Sequence, residues 1–311
     1  LSYFYDILGP SISLDTACSS GLSLLSVADM AISSGQCEAA IIGGVSLFCT
    51  SEFHQLAKES QLISPNHHCY TFDTRANGFV PAEGVVSLIV MKKKNALKYA
   101  LPIMAKVRHL SLNHDGLSNG IMAPNASAQT SLIKKAFNAG KVSLDDVALL
   151  EAHGTGTQLG DAIECAGLRD AFSEKEKNCY LGTSKMITGH TLVCSGLASI
   201  VKLILSYKNK TIPANPLYQS SDKHTLDQTP FSINTENVTW PKNKKCAAIS
   251  AFGFTGSNAH IILEFDTSKA TQDHPYIHTF IFSADDPKRL ESILQATHDA
   301  LNNETLCLKN L

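Results

Sequence analysis

The sequence has no Cys-x-x-Cys pair, no long apolar run and no excess of charge of one sign. Its nine cysteines are scattered in a way that suits neither a zinc site nor a disulfide framework and is typical of a reducing cytosol. No apolar stretch reaches the roughly 18 residues of a membrane-spanning helix, and we expect no secretory leader. The formal net charge of −2 gives no reason to expect a nucleic-acid partner. These absences predict a cytoplasmic protein that binds neither membranes nor nucleic acid.

Apolar residues are abundant enough for a large buried core. They make up 44% of the 311 residues, against 17% charged residues. The chain begins with Leu1 rather than Met, and residues 1–9 resemble the interior of a fold. We therefore expect an N-terminally truncated fragment that is poorly soluble or inactive on its own.

Short apolar segments alternate with helical patterns, which predicts an α/β fold with mostly parallel sheets covered on both faces. The predicted strands are Ser11–Leu14, Ala39–Ile42, Gly84–Met91, Ile103–Val107, Val147–Leu150, Cys179–Thr183, Ala247–Ser250 and Ala259–Leu263. The predicted helices are Leu22–Ser33, Ala126–Asn138, Asp161–Phe172 and Gly196–Tyr207. A linker at Phe265–Tyr276 precedes a predicted strand, Thr279–Ser283, and an amphipathic helix, Asp286–Leu301.

Cys18 lies in the segment Asp15–Ser20, Asp-Thr-Ala-Cys-Ser-Ser, between a predicted strand and a buried helix. The unpaired amides and the dipole of a helix N-terminus favour the thiolate and lower its pKa. A thiolate so placed is a good acyl acceptor. The alternative is a small buried cysteine that only packs.

Two histidines follow predicted strands in glycine-containing turns. His153 lies in Glu151–Thr157, Glu-Ala-His-Gly-Thr-Gly-Thr, and His190 lies in Ser184–His190 at the start of an apolar helix. Ligands of α/β proteins bind at such strand ends. A histidine at a helix N-terminus tends to stay neutral and can donate a hydrogen bond to an oxyanion. The alternative readings are a solvated histidine for the first and a locally capping one for the second.

A third glycine-rich turn, Phe252–Asn258, can offer a backbone amide as an oxyanion donor, although an ordinary hairpin would look the same.

In this order, the four motifs resemble the thiolase-like β-ketoacyl synthases, from about Leu1 to Glu264. The blocks that carry the resemblance are Gly9–Ser20, Glu151–Asp161, Phe72-Asp73, Asn77–Val80, Glu83-Gly84, Asn113–Gly120 and Ala123-Pro124. The sequences of these blocks resemble those of modular type I polyketide synthases. The tail, Phe280–Leu301, resembles the linker that follows the ketosynthase in those proteins.

The resemblance implies a five-layered αβαβα fold of two similar halves, here without the N-terminal part of the first half, in a homodimer. It implies a ketosynthase domain at residues 1–264, with halves at about 1–110 and 111–264, and a linker at 265–311. The implied partners are an acyl carrier protein and other polyketide synthase domains of the same chain. The domain itself would bind no cofactor or metal, because the substrates ride on the phosphopantetheine of the carrier protein.

The resemblance also assigns roles to nine residues. Cys18 would accept the acyl chain, and His153 and His190 would assist decarboxylation of the malonyl unit. The amides of Cys18 and Phe254 would form the oxyanion hole, with the Phe254 side chain as a gate. Lys185 with Glu164, and Asp161 nearby, would form a supporting polar network, because a buried lysine needs an anionic partner. The alternative for these three residues is ordinary surface charge. The pantetheine contacts would be Thr155 and Thr157.

Several other activities stay open at this point. A non-elongating ketosynthase passes acyl chains on without condensing them, and loss of the histidine equivalent to His153 often accompanies that state. A chain-length-factor-like subunit typically lacks the cysteine. A thiolase would have a second reactive cysteine near Phe252–Asn258, which contains none. A Cys/His hydrolase fits less well still, so an elongating synthase is the leading hypothesis.

Overall fold

A computed structural model describes residues 1–120, 122–172, 179–220, 226, 229–265 and 286–302. The chain divides into two units, Leu1–Ala270 and Thr271–Leu311. The helices are α1 (Ser20–Ser33), α2 (Glu52–Glu59), α3 (Lys93–Lys98), α4 (Ala126–Gly140), α5 (Gln158–Ala171), α6 (Lys185–Thr188), α7 (Ser195–Lys208) and α8 (Pro287–Asn302). The strands are β1 (Ala39–Ser46), β2 (Gly84–Met91), β3 (Lys106–His114), β4 (Val147–Glu151), β5 (Cys179–Gly182), β6 (Thr211–Ile212), β7 (Phe231–Ser232), β8 (Val238–Thr239), β9 (Cys246–Phe252) and β10 (Ser257–Glu264).

The central sheet of the first unit has the strand order β3-β10-β9-β4-β5-β7. Strands β9, β4, β5 and β7 are parallel, whereas β10 is antiparallel to both β9 and β3. Because β3 is also antiparallel to β10, five of the six strands point the same way, which confirms the expected mostly parallel sheet with β10 as the exception. The reason is local: α5 carries the chain back for a parallel β4–β5 pair, but the tight turn after β9 allows only an antiparallel partner.

Alternate residues of the central strands pack into two different hydrophobic cores, one on each face of the sheet. Ile249 of β9 and Ile261 of β10 pack with α1, α7 and the inner face of the two-stranded β1–β2 sheet. Ala248 and Ile262, one position along each strand, pack with α4 and α5 on the other side. The first unit thus stacks the β1–β2 sheet, the α1/α7 layer, the central sheet and the α4/α5 layer.

Three of the strand predictions differ from the structure by more than two residues. Residues 11–14 pair with no strand among the described residues, so no strand forms there, and Ile12 is exposed. The strand predicted at Ile103–Val107 begins later, at Lys106, and runs to His114 because it pairs along the whole length of β10. Gly43 and Gly44 do not stop β1, since a Cβ at Gly44 would lie 2.7 Å from that of Cys194 and the strand uses the glycine for close packing.

The second unit contributes α8, which confirms the predicted amphipathic helix near the C-terminus. The strand predicted at residues 279–283 lies outside the described residues. In the described part of the chain, no helix has the length and apolar character that a membrane span requires. The eight cysteines in that part are all free thiols.

Candidate active site

Cys18 lies in a short 3₁₀ turn, Ala17–Ser19, that runs directly into α1. Ala17 adopts a positive φ of 54°, which is a strained conformation for a residue with a side chain. Local hydrogen bonds hold this turn: the Ala17 amide donates to Asp15 Oδ1 at 2.7 Å and the Thr16 amide donates to Ser20 Oγ at 2.8 Å. The turn fixes the cysteine at the start of a buried helix, as predicted, with the residue only 7% exposed.

The backbone of His190 is fixed by two hydrogen bonds to the segment Val80–Ala82. Its amide donates to the Val80 carbonyl at 2.7 Å, and its carbonyl accepts from the Ala82 amide at 3.0 Å. The preceding Gly189 has a φ of +73°, which favours glycine. The imidazole Nε2 lies 3.1 Å from Cys18 Sγ, within reach for a proton transfer.

His153 follows β4, and its backbone is fixed by a carboxylate. Glu164 accepts the amides of His153 and Gly154, each at 2.8 Å. The His153 ring packs edge-on against His190, with ring centroids 5.5 Å apart. The sulfur of Cys18 and a nitrogen of each imidazole lie within 4.8 Å of one another. The structure therefore brings together the three residues that the sequence pointed to.

Burial and one nearby cation set the charge states of this cluster. Burial, and secondly the charge of Lys185, hold the pKa values of His153 and His190 well below the usual range, so both rings are neutral. Burial raises the pKa of the Cys18 thiol to about 11, against the opposing effect of Lys185. The expectation of a lowered thiol pKa is wrong for the free site, because desolvation outweighs the helix N-terminus.

A neutral Cys18–His190 pair can still generate a nucleophile. The thiol can pass its proton to the unprotonated imidazole as it attacks, so no resting thiolate is needed. The backbone N–H groups of Phe254 and Cys18 both face the sulfur and oppose the rise of its pKa. Two converging N–H groups are also the geometry of an oxyanion hole.

The turn that carries Phe254 is tied to the cysteine turn. The Gly253 amide donates to the Ser257 carbonyl at 2.8 Å. A Cβ at Gly253 would lie 2.5 Å from the Thr16 carbonyl oxygen, so only glycine fits there. The Phe254 side chain is 54% exposed and projects away from the core.

Asp161 and Glu164 are buried carboxylates that hold the loop after β4. Asp161 accepts the Phe72 amide at 2.6 Å and the Gly156 amide at 3.1 Å, and Glu164 fixes the start of the same loop. Burial raises the pKa of each to about 7, opposed by these backbone donors. The third residue of the expected network, Lys185, is 3% exposed, and its ammonium forms no ion pair within the described residues.

Thr155 and Thr157 lie on the same loop, with their hydroxyl oxygens 3.2 Å apart. Thr155 is 8% exposed and Thr157 precedes α5 as its N-cap residue. These hydroxyls are close enough together to contact one polar ligand chain.

A thiol and two imidazoles are also a possible metal-ligand set. The electrostatics favour a different use. Lys185 acts on all three groups as a positive charge, which opposes a divalent cation, and the thiol holds its proton firmly. The arrangement suits proton transfer and stabilisation of negative charge better than metal binding.

Sequence reasoning missed one pair of residues near the site. Glu151, quoted only as part of a motif, is fully buried and forms a 2.6 Å ion pair with Lys202 of α7. The signal was available: Lys202 is a lone charge in the middle of a strongly apolar helix. A charge in such a position needs a partner or a route to solvent.

Three models of known protein families match consecutive segments of the chain. Residues 1–96 match "Beta-ketoacyl synthase, N-terminal domain", residues 104–219 match "Beta-ketoacyl synthase, C-terminal domain" and residues 221–310 match "Ketoacyl-synthetase C-terminal extension". The reducing polyketide synthase FUB1 of Gibberella fujikuroi is 37% identical over 85% of this chain and 11% of its own length. Polyketide synthase PksL of Bacillus subtilis is 32% identical over 100% of this chain and 7% of its own length.

Solved structures give the same result. The oxazolomycin ketosynthase domain OzmH KS7 of Streptomyces albus JA3453 superposes with a TM-score of 0.85 at 36% identity, covering 94% of this chain and 52% of that one. The ketosynthase from module 6 of the bacillaene synthase of Bacillus subtilis 168 gives a TM-score of 0.86 at 32% identity, covering 98% and 55%. The chain thus spans about half the length of these structures and has their thiolase-like α/β fold. The chain belongs to the β-ketoacyl synthase family, and its cysteine and two histidines lie together in one cluster.

Proposed function

We propose that this chain is part of a ketosynthase domain of a modular polyketide synthase, catalysing a decarboxylative Claisen condensation. The observation that carries the proposal is the 3.1 Å contact between Cys18 Sγ and His190 Nε2, with His153 beside both. The names of the similar proteins, which are polyketide synthases and their ketosynthases, support it.

In the first half-reaction, the Cys18 thiol gives its proton to His190 as the sulfur attacks an acyl thioester. A bond forms between sulfur and the acyl carbon, and the carrier leaves as a thiol once it has regained a proton. The oxyanion of this step lies between the amides of Cys18 and Phe254.

In the second half-reaction, a malonyl thioester enters beside the two histidines. Its carboxylate leaves as CO₂, and the electron pair moves into a thioester enolate. Neutral imidazoles of His153 and His190 donate hydrogen bonds to the enolate oxygen, a role that needs them uncharged but protonated on one nitrogen. The enolate carbon attacks the acyl carbon on Cys18, the carbon–sulfur bond breaks, and Cys18 leaves as a thiolate that takes up a proton from solvent.

Further assignments belong to the same proposal. Thr155 and Thr157 contact the phosphopantetheine arm of an acyl carrier protein, and the Phe254 side chain gates the entrance. Asp161, Glu164 and Lys185 support the histidine loops. The domain spans residues 1–264, in two halves that meet near residue 110, followed by a linker at 265–311. We also propose a homodimer that works in the cytoplasm beside other synthase domains and binds no cofactor of its own.

The test uses the full-length protein and follows two events by intact mass. The protein is incubated first with an acyl-pantetheine thioester and then with malonyl-carrier protein. We expect an acyl adduct on Cys18, followed by a β-ketoacyl group on the carrier. Cys18→Ala abolishes the adduct, because it removes the only sulfur in the cluster.

A matched variant separates the two half-reactions. His153→Asn leaves Cys18 and His190 in contact, so we expect acylation of Cys18 to persist. We expect the rate of condensation to fall by about a hundredfold or more, which is the usual effect of losing one hydrogen-bond donor to an oxyanion. An adduct without any condensation in the unaltered protein would indicate a transfer-only ketosynthase. Absence of any adduct on Cys18 would contradict the proposal.

A further inference from the structure

His114 lies beside the turn that carries Phe254, and the proposed mechanism does not use it. It is the last residue of β3 and pairs in register with Ser257, the first residue of β10. The residue is exposed, and its imidazole lies against Gly256, where a Cβ would be 2.7 Å from the ring carbon Cε1. The φ of Gly256 is +90°, so the backbone and the ring both require glycine there. The ring of His114 is therefore packed directly on the turn at residues 253–256.

Both ring nitrogens of His114 form hydrogen bonds, and the two partners fix the position of the ring proton. Nδ1 lies 3.0 Å from the Gly116 amide nitrogen, and Nε2 lies 3.0 Å from the Thr255 carbonyl oxygen. An amide N–H can only donate and a carbonyl oxygen can only accept, so Nδ1 accepts and the proton is on Nε2. The side chain thus joins the loop after β3 to the carbonyl of the residue that follows Phe254.

The rest of the turn is held at its glycines. The Gly256 amide donates to the Gly253 carbonyl at 2.8 Å. At its start, the turn packs on the cysteine turn, because a Cβ at Gly253 would lie 3.3 Å from the hydroxyl oxygen of Ser19. Phe254 therefore lies between one end of the turn that is fixed at the cysteine turn and another end that is fixed by His114.

We propose that His114 is a positioning residue: its Nε2–H holds the Thr255 carbonyl and thereby the turn that presents the Phe254 amide to the oxyanion. A donor in an oxyanion hole acts through its fixed position, because a group that must reorient during the reaction loses much of its effect. His114 itself touches no reacting atom. The inference rests on the proposed acyl transfer to Cys18, but the first of its two measurements requires no activity.

The experiment applies two measurements to the folded full-length protein. Hydrogen–deuterium exchange, followed by mass spectrometry, gives the exchange rate of the amides at residues 252–257. Acylation of Cys18 by an acyl-pantetheine thioester, followed by intact mass at several thioester concentrations, gives a maximal rate and a half-saturating concentration. The exchange rate reports whether the turn is held, and the maximal rate reports whether the oxyanion of the acyl transfer is stabilised.

His114→Phe keeps a flat ring against Gly256 and removes both nitrogens. We expect the turn amides to exchange about tenfold faster, because the turn loses one of the contacts that suppress its local opening. We expect the maximal acylation rate to fall about tenfold, less than the roughly hundredfold effect of removing an oxyanion donor outright, and the half-saturating concentration to stay within about twofold.

Two further variants separate the hydrogen bond from other effects. His114→Gln has a side-chain amide that can still donate to the Thr255 carbonyl, so we expect both measurements to return to within about threefold of the unaltered protein. His109→Phe is the matched control, because His109 lies earlier on the same strand and pairs with Ile262 rather than with the turn. We expect neither measurement to change in this control.

Unchanged exchange in His114→Phe would show that the ring nitrogens do not hold the turn, and would overturn the proposal. Faster exchange with an unchanged acylation rate would overturn it too, because the turn could then move without any effect on the oxyanion. A lower melting temperature alone would indicate a purely structural role and would count against it in the same way. If the unaltered protein does not acylate Cys18, the proposed function fails, and the exchange rate alone decides whether His114 holds the turn. If His114→Phe does not fold, His114→Ala is judged by the same two measurements.

Discussion

At the scale of single residues, His260 shows how much a buried titratable group depends on its neighbours. It lies in β10 with no exposed surface, and its Nδ1 lies 3.0 Å from Ser250 Oγ on the paired strand β9. Its Nε2 has no hydrogen-bond partner within the described residues. Burial lowers the pKa of His260 to about 3. The ring is therefore neutral in the folded protein over most of the acid range.

This residue should make folding sensitive to acid. The pKa of His260 is about 3 in the folded protein and 6.5 for an unperturbed histidine. Between these two pH values, the unfolded chain binds a proton at His260 that the folded protein does not bind. The stabilising contribution is complete above pH 6.5 and is lost as the pH falls towards 3. From pH 7.5 to 5, we expect the free energy of unfolding to lose about 2 kcal/mol through this group alone.

Replacing the ring with an apolar side chain of similar size isolates the effect. His260→Leu should remove that part of the loss, measured as the difference in denaturant-unfolding free energy between pH 7.5 and 5. His153 and His190 stay in place and contribute equally in both proteins, so they cancel in the comparison. An equal pH dependence for the variant and the unaltered protein would show that His260 is not the acid-sensitive group.

Some features of single residues could be predicted from the sequence, and others could not. Cys18, His153 and His190 could be predicted because each lies in a short local motif with glycine and hydroxyl residues around it. The contact between Glu151 and Lys202 could not, because it joins residues 51 positions apart whose pairing depends on the packing of α7. The thiol pKa was mispredicted for a related reason: burial is a property of the folded chain.

At the scale of elements, α1 and α7 cross through two reciprocal glycines. A Cβ at Gly196 would lie 2.7 Å from Leu22 Cγ, and a Cβ at Gly21 would lie 3.0 Å from Leu197 Cγ. Each helix therefore brings its glycine against the leucine of the other. The crossing also aligns the helix starts, since Ser195 Oγ at the beginning of α7 donates to the Cys18 carbonyl at 3.4 Å.

A methyl group at this crossing should separate the helices. Gly196→Ala is expected to cost about 1–3 kcal/mol in unfolding free energy, the range for overpacking a close-packed site. It should also slow acylation of Cys18, because the helix that carries the cysteine moves relative to His190. Gly43→Ala is the control, since nothing lies within 4 Å of a Cβ there and we expect little change in either measurement. Equal effects of the two substitutions would contradict this account of the crossing.

Element boundaries were predictable where periodicity and caps agree. Strand β2 coincides with its prediction, and α4 was placed to within two residues. Gly140, expected as its stop, is the last residue of the helix, and Lys141 in a left-handed conformation ends it. Residues 11–14 look like a strand by alternation alone. Strand formation there would need a partner strand, and none of the described residues provides one.

At the scale of the whole first unit, four layers alternate between sheet and helix, and the β1–β2 sheet is the outer layer on one side. The register pairs Ile41 with Ile89 and Val45 with Val85. These four side chains share the outer face and are 53%, 70%, 53% and 68% exposed, respectively. The opposite face of the same sheet packs on α1 and α7. Alternation within each strand thus leaves one face of the β1–β2 sheet apolar and open to solvent.

An open apolar sheet face favours association, which gives a physical basis to the expected poor solubility of the 311-residue chain. Replacing Ile41 with Lys and Ile89 with Glu puts opposite charges on directly paired positions, which a sheet tolerates well. We expect this double variant to stay monodisperse at concentrations where the unaltered chain aggregates, as measured by light scattering.

The buried face of the same strand provides the comparison. Ile42, adjacent to Ile41, is 4% exposed and packs in the core with α1 and α7. Ile42→Lys should therefore lower the free energy of unfolding by several kcal/mol, because it buries an unpaired charge, and should increase aggregation. If the outer-face double variant and Ile42→Lys both increased aggregation, association would start from partly unfolded chains. If the outer-face double variant reduces aggregation and Ile42→Lys does not, the folded unit associates through the outer face of the β1–β2 sheet.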